Sequence, residues 1–479
     1  MVVKDPFGFN IFFPVYDTSS NSLSALNAQL WANEALMIIE EALTLPQQVN
    51  RNFEDKFAEP GDVINLYVPS DLQAYRKPEH SSISYQAVSS SSDTLRLNNN
   101  IYSAFELTQR QIKRSFGDLA GTYLNRAARA VVEKIDLAIA GEFYHSFAYT
   151  AGKLGTAVTY NTLADLATVL DNNNIARSNS RFLNVTPNIH GQLLKDGSLV
   201  EANKLGNGES RISSGLVGTG AGFDIYMSRS SRTIASGSDT TVGAVNNATG
   251  YAAGTTTLTV DGFTGTLING SWLTIAGDMT PQLLVDNAAA ESKTTTIEIY
   301  PGLKAAVAND AVITVYDPVL INLSAGYLAG HEDVFVVDGV TTLPAVGQGI
   351  TIGTTAIGTN LDPADIEIYS VVQRDTATNT LLLNKPLISA MANNATLFPM
   401  PPGEYNIAGT VDSVTFANRP LLIPDSGVVS AAIATDPDLG LSIRVIISYD
   451  RNYFKYQYSI DTLIGVKSVF PVCGALLLG

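Results

Sequence analysis

Two stretches of this chain repeat one another, and the repeat limits what its middle third can become. Residues 258–262 (LTVDG) match 335–339 (FVVDG), and 273–275 (LTI) match 350–352 (ITI), both at an offset of 77. Farther on, 308–311 (ANDA) match 392–395 (ANNA) at an offset of 84, so a seven-residue insertion (84 − 77) separates the two parts of the match. The surrounding region, 233–400, is rich in threonine, valine and glycine and has little helical period. It reads as two related β-modules of roughly four to six short strands each, joined through residues 318–332.

Outside the repeat the patterns differ. Leu119, Tyr123, Ala127, Val131, Ile135, Ile139 and Phe143 recur every fourth residue with no proline between them, which predicts a helix over 118–147. At 1.5 Å per residue it is a rod of about 45 Å, too short and too alanine-rich for a heptad seam. A second helix is expected over 24–45, with Leu26, Leu30, Ala35, Met37, Ile38 and Leu45 on one face and Pro46 as its stop. Before it runs an aromatic arm containing Phe7, Phe9, Phe12, Phe13 and Tyr16, suited to lying on another surface.

Strands are expected at 63–68 and 95–108, flanking a polar excursion whose serine run, 89–92, reads as a loop tip. Residues 188–195 form a short amphipathic segment, followed by a polar run and an alternating strand at 223–228. Toward the end, 411–424, 441–449 and 453–464 read as strands, and Gly465 as a turn leading into 466–471.

Charge narrows the function. The net charge is −16 and only 15 % of residues are charged, against about 25 % in an ordinary soluble domain. Binding to phosphates needs clustered Lys and Arg, so sequence-specific nucleic-acid recognition is not expected, although an acidic wall can enclose DNA without holding it. One cysteine, Cys473, cannot make an intrachain disulfide. There is no apolar run of membrane-span length, and the first residues (MVVKDPFGFN) lack the pattern of a signal peptide. The expected compartment is a cytoplasm.

Candidate chemistry is sparse. His80, His145, His190 and His331 have no metal-ligand spacing, and His331-Glu332-Asp333 reads as a solvated turn. Residues 215–222 (GLVGTGAG) look like a phosphate loop, but a strand follows them where such a loop opens a helix. Glu40 and Glu41 are adjacent on a helix and point apart, and no serine lies in a nucleophile elbow. No catalytic residue, cofactor or metal is expected.

Three separated motifs, in order, resemble the major capsid proteins of tailed double-stranded-DNA bacteriophages. The first is Trp31 on a helix, then Val49, Asn50, Arg51 and Phe53, then Gly61, Asp62 and Asn65 opening a strand. The second is the helix, long loop, glycine-flanked turn and strand of 186–230 (TPNIHGQLLKDG…GTGAGFDIYMSRS). The third is Arg444, Tyr449, Asp450, Asp461, Leu463, Gly465 and Pro471 near the end.

The resemblance implies an α+β phage capsid fold of the Johnson type. Its parts would be an N-terminal arm and helix (1–48), an extended β-loop (49–113) and a spine helix of the peripheral domain (114–150). An axial domain (151–232), inserted β-modules (233–330 and 331–400) and closing strands of the axial and peripheral domains (401–479) would follow. It implies hexamers and pentamers of an icosahedral head assembled in the host cytoplasm. Trp31, Arg51, Phe53, Asp62, Tyr75, Arg76, Lys77, Arg444 and Asp461 would be subunit-interface candidates. Partners would be further copies of the chain, with scaffolding, portal and decoration proteins as other candidates, and neither membrane nor sequence-specific nucleic acid. Some relatives join a lysine in the extended loop to a neighbour's asparagine by an isopeptide bond; loop position is all that Lys77 shares with them. The alternative from the residues alone is a β-rich adhesin or carbohydrate-binding protein, for which the repeat and the threonine content speak.

Overall fold

The computed structural model describes residues 2–4, 10–12, 29, 31–37, 39, 44–51, 63–69, 74–77, 79, 82–83, 85–86, 90–114, 119–177, 180–196, 218–228, 231, 233–234, 240–263, 266–286, 288–289, 294–330, 335–337, 343–353, 366–424, 430–436 and 441–479. The fold mixes helix and sheet and is rich in β-structure. It divides into two compact units: Met1–Glu41, Tyr102–Val131 and Pro420–Thr462 form the first, and Ala42–Ile101, Val132–Arg419 and Leu463–Gly479 the second.

In the first unit, Ser430–Asp436 pairs with Leu441–Asp450, which pairs with the opening half of Lys455–Ser468. Aromatic rings close this unit: Phe105 stacks on Tyr458 at 5.0 Å and tilts against Tyr123 at 5.9 Å. Residues 31–37 are helical, with Ala32, Ala35 and Leu36 buried. Met37, expected on the apolar face, is exposed, because the buried stripe runs one residue behind it through Leu36.

The long helix spans Leu119–Glu142, about 36 Å, and ends in a 3-10 turn, Phe143–Ser146. Its part in the first unit is amphipathic, with Leu124, Ala127, Ala128 and Val131 buried and Tyr123, Arg126 and Arg129 exposed. Its part in the second unit is covered nearly all round: Ile135 through Phe143 are all buried, Asp136 and Glu142 included. Such a segment is a core helix, not a surface one.

The second unit holds a sheet ordered Thr150–Gly152, Gly474–Leu478, Gly403–Gly409, Phe182–Val185, Phe223–Met227 and Thr219–Gly220. Helix Tyr160–Asn172 covers it with Leu163, Leu166 and Leu170, and Pro187–Leu193 adds Ile189 and Leu193. Thr186 caps that short helix, its hydroxyl accepting from the Ile189 amide at 3.2 Å. The glycine-rich stretch makes a two-residue turn, Ala221-Gly222, between Gly220 and Phe223, which pair.

The repeat is visible atom by atom. In the first module, strands Thr240–Val245, Val312–Tyr316, Trp272–Ile275, Gln282–Leu284, Thr295–Tyr300 and Thr257–Asp261 close into a barrel. In the second, Val319–Leu320, Thr396–Pro399, Gly349–Gly353, Ile368–Asp375, Thr380–Leu383 and Phe335–Val336 lie in the same order. Tyr251 and Val307 exchange amide bonds of 2.9 Å; Tyr327 and Met391, their counterparts at offsets of 76 and 84, exchange bonds of 2.8 Å. Beside each pair sits a left-handed glycine, Gly250 (φ +67°) and Gly326 (φ +65°), where a Cβ would stand 2.3 Å from the partner strand's carbonyl.

The Gly270 amide bonds the Leu284 carbonyl at 2.8 Å, and the Gly347 amide bonds Val371 at 2.7 Å, offsets of 77 and 87. The seven-residue difference is therefore ten residues gained between 352 and 370 (87 − 77) and three lost afterwards (87 − 84). Closure differs. Ala244–Asp261 and Val245–Val260 pairs seal the first module, whereas in the second only the isolated bridge Ile321–Val337 stands there among the described residues.

Four expectations need correction. The stretch 318–332 is no connector: it carries the second module's opening strand and the Tyr327 bridge, so that module starts at Val319 and not at residue 331. Residues 420–424 belong to no strand; Val414–Arg419 follows a 3-10 turn, Val411–Ser413. Ser90, Ser91 and Ser92 are not a loop tip but pair with Pro69, Val68 and Tyr67, cross-strand pairing overriding their turn preference. Gly465 is not a turn either. The strand runs through it to Ser468, and glycine is needed because a Cβ would lie 2.4 Å from the Arg96 carbonyl oxygen.

Candidate functional site

Both modules dock, by corresponding faces, on the end of the long helix and the turn that follows it. In the first module the contact is aromatic. Phe147 meets Trp272 edge-on at 4.9 Å and Tyr300 at 5.7 Å, and the indole Nε1 donates to Thr351 Oγ1 of the second module at 3.2 Å. Lys304 Nζ reaches the Ala148 carbonyl at 2.8 Å, and burial pulls its pKa down.

The second module puts different residues at the same stations. Trp272, Thr280, Tyr300 and Pro301 are replaced by Gly349, Glu367, Asn384 and Lys385 at the offsets given by the backbone pairing. Gly141 lets the helix approach, since a Cβ there would lie 2.2 Å from Ser370 Oγ. Tyr144 donates its hydroxyl to the Gly347 carbonyl at 2.6 Å. The rest of the contact is ionic.

Glu142, fully buried, accepts from Lys385 Nζ at 2.8 Å, from Asn384 Nδ2 at 3.2 Å and from the Ser468 amide at 3.1 Å. Lys385 also pairs with Glu367, whose second oxygen lies 3.4 Å from Lys467 Nζ. Burial alone would raise the Glu367 carboxyl's pKa, but the Lys385 ammonium, with Lys467 beyond it, outweighs burial and holds the group well below the usual carboxylate range. Burial would likewise strip the proton from Lys385, yet Glu142 and Glu367 reverse the balance and raise its pKa. Tyr369, whose ring lies 5.2 Å from the ammonium, is pushed up to about 12 by burial.

The ligand atoms of Glu142, His145 and Glu367 lie within 4.8 Å of one another, a spacing a metal ion would accept. Lys385 already fills that position with an ammonium held by both carboxylates, so the arrangement is a self-contained ion cluster. It ties three segments together and presents no activated nucleophile.

The residues singled out from sequence lie elsewhere. Trp31 packs on Tyr458 at 5.5 Å, half-buried within the first unit. Arg444 and Asp461, directly opposite on paired strands, form a two-pronged ion pair at 2.9 and 2.7 Å, so their charges are met inside the chain. Arg51 follows Asn50, which bridges to Thr415, bonding Val414 and Phe416 at 2.9 and 2.8 Å. Tyr75, Arg76 and Lys77 are exposed in the excursion of the hairpin formed by Val63–Pro69 and Ser90–Arg96. Phe53, Asp62, Glu40, Glu41 and the His331-Glu332-Asp333 cluster lie outside the described residues.

Sequence reading missed the cluster of Glu142, His145, Glu367, Lys385 and Lys467. One signal was present: Glu142 is a lone carboxylate in an otherwise apolar run, 137–144 (LAIAGEFY), which demands a buried cation somewhere.

No protein-family model matches the sequence, and no curated protein matches it. Among solved structures, the chain matches several from phage particles at low TM-score. One from Mycobacterium phage Che8 shares 11 % identity at a TM-score of 0.42 over 90 % of this chain and 88 % of that one. The capsid of cyanophage P-SCSP1u gives 9 % and 0.42 over 91 % and 88 %, and the mature capsid of bacteriophage PhiM1 gives 9 % and 0.38 over 87 % and 81 %.

Proposed function

We propose that this chain is the major capsid protein of a tailed double-stranded-DNA bacteriophage, with a Johnson-type fold enlarged by two β-modules. Copies assemble into hexamers and pentamers that enclose the genome. The observation that carries this reading is the hairpin Val63–Pro69/Ser90–Arg96. It has seven residue pairs, and among the described residues no further strand joins it. A two-stranded ribbon is marginal by itself in water, and this one bears Ile83 and Tyr85 at 63 % and 91 % exposure together with Tyr75, Arg76 and Lys77. A neighbouring copy is the surface such a ribbon fits, and the three sequence motifs point to the same role. The modules brace adjacent capsomers or receive decoration proteins.

Sedimentation velocity tests this with the wild type and a variant in which residues 70–89 are replaced by an Asn-Gly turn. The wild type is expected to sediment as a multimer, and the variant as a monomer with an unchanged melting temperature. A wild-type monomer that binds glycans would contradict the reading and favour an adhesin.

A further inference from the structure

His145 stands between the helix end and the second module, and its two ring nitrogens are committed to opposite roles. Nδ1 lies 3.0 Å from the Glu142 carbonyl, which can only accept, so Nδ1 carries the proton. Nε2 lies 3.2 Å from the Ile368 amide, which can only donate, so Nε2 offers its lone pair. Both bonds exist together only for the neutral imidazole. We propose that His145 is an acid-sensitive latch that fastens the start of strand Ile368–Asp375 to the end of the long helix and releases it when the imidazole is protonated.

Among the described residues, the charged and titratable groups around the ring are two carboxylates, two ammonium groups and one phenol. Glu142 lies 3.8 Å from Nδ1, Glu367 3.6 Å from Nε2, and these two carboxylates are already matched by Lys385 and Lys467, with Tyr369 beside Lys385. Among the described residues the cluster is thus balanced with a neutral histidine, and a proton on His145 adds a third positive charge at a largely buried place. That proton also points a donor at the Ile368 amide, which loses its acceptor. Turning the ring toward Glu367 satisfies the imidazolium and still leaves the Ile368 amide unmet.

The first module has no such device. The counterpart of Ile368, at the offset of 87, is Pro281, which has no amide proton to satisfy. The latch therefore belongs to one copy of the repeat and loosens that copy alone.

Hydrogen exchange of the full chain, resolved to single amides and corrected for the intrinsic effect of pH, tests this. Between pH 7.5 and 5.5 the Ile368 amide is expected to exchange roughly three- to tenfold faster, as loss of one hydrogen bond implies. The amide of Leu283 in the first module stays unchanged. In His145→Gln, or His145→Asn if that variant folds better, the acid step at Ile368 disappears. A flat or rising protection of Ile368 in the wild type, or the same acid step in both histidine variants, would overturn the latch.

Discussion

The two modules share one six-strand order and one set of left-handed glycines, yet they hold to the same helix end by different physics. The first is a closed barrel that docks through Phe147, Trp272 and Tyr300, where attraction is short-ranged and insensitive to pH. The second is closed, among the described residues, by the single bridge Ile321–Val337 and docks through Glu142, Glu367, Lys385 and Lys467. Duplication preserved what the backbone requires and let the docking chemistry diverge. Buried ions set geometry strictly but are costly to disturb, whereas rings tolerate repacking.

That contrast can be broken at several places. Lys385→Met should cost the most, about 3–5 kcal/mol in denaturant unfolding, because Glu142 is left buried without its cation. If the loss is under about 1 kcal/mol, the cluster contributes little and the contrast fails. Trp272→Leu in the first module should cost about 2–3 kcal/mol, and the loss should be the same at pH 5 and pH 7 because the ring's partners among the described residues are Phe147 and the Thr351 hydroxyl.

Gly250→Ala and Gly326→Ala should each cost about 2 kcal/mol and agree within about 0.5 kcal/mol, since each forces a Cβ onto a partner carbonyl at the same left-handed angle. Unequal values would mean the two copies are less alike in energy than in geometry. The smallest effect, about 1 kcal/mol, belongs to Tyr369→Phe, which removes the hydroxyl that accepts from the Ile388 amide.

Acid provides a further comparison. Glu367 has a folded pKa below its unfolded value near 4.3, so its contribution is complete above that value and is lost as pH falls through the depressed one. Hydrogen exchange below about pH 4 should therefore expose strand Ile368–Asp375 before Trp272–Ile275. The reverse order would assign acid sensitivity to the wrong module.

Much of this fold was legible in the sequence, and the reasons are local. The long helix announced itself through a four-residue apolar period, and the repeat through LTVDG and FVVDG, whose first residues lie in equivalent strands. The first unit's Arg444–Asp461 pair was noticed as a motif, but its partners sit 17 residues apart, and only strand register makes them meet. For the same reason, only Glu142 of the ion cluster, alone in its apolar run, was legible. Glu142, Glu367, Lys385 and Lys467 are brought together by tertiary docking, and no spacing in the chain anticipates that. Gly465 likewise looked like a turn because its close neighbour, the Arg96 carbonyl, is remote in sequence.

The most direct test of the capsid reading is electron microscopy of the protein expressed alone and separated by size. The account predicts uniform closed shells or capsomer rings of six and five copies. A protein that stays monomeric even when co-expressed with the remaining head genes of its source, and is absent from the resulting particles, would contradict it.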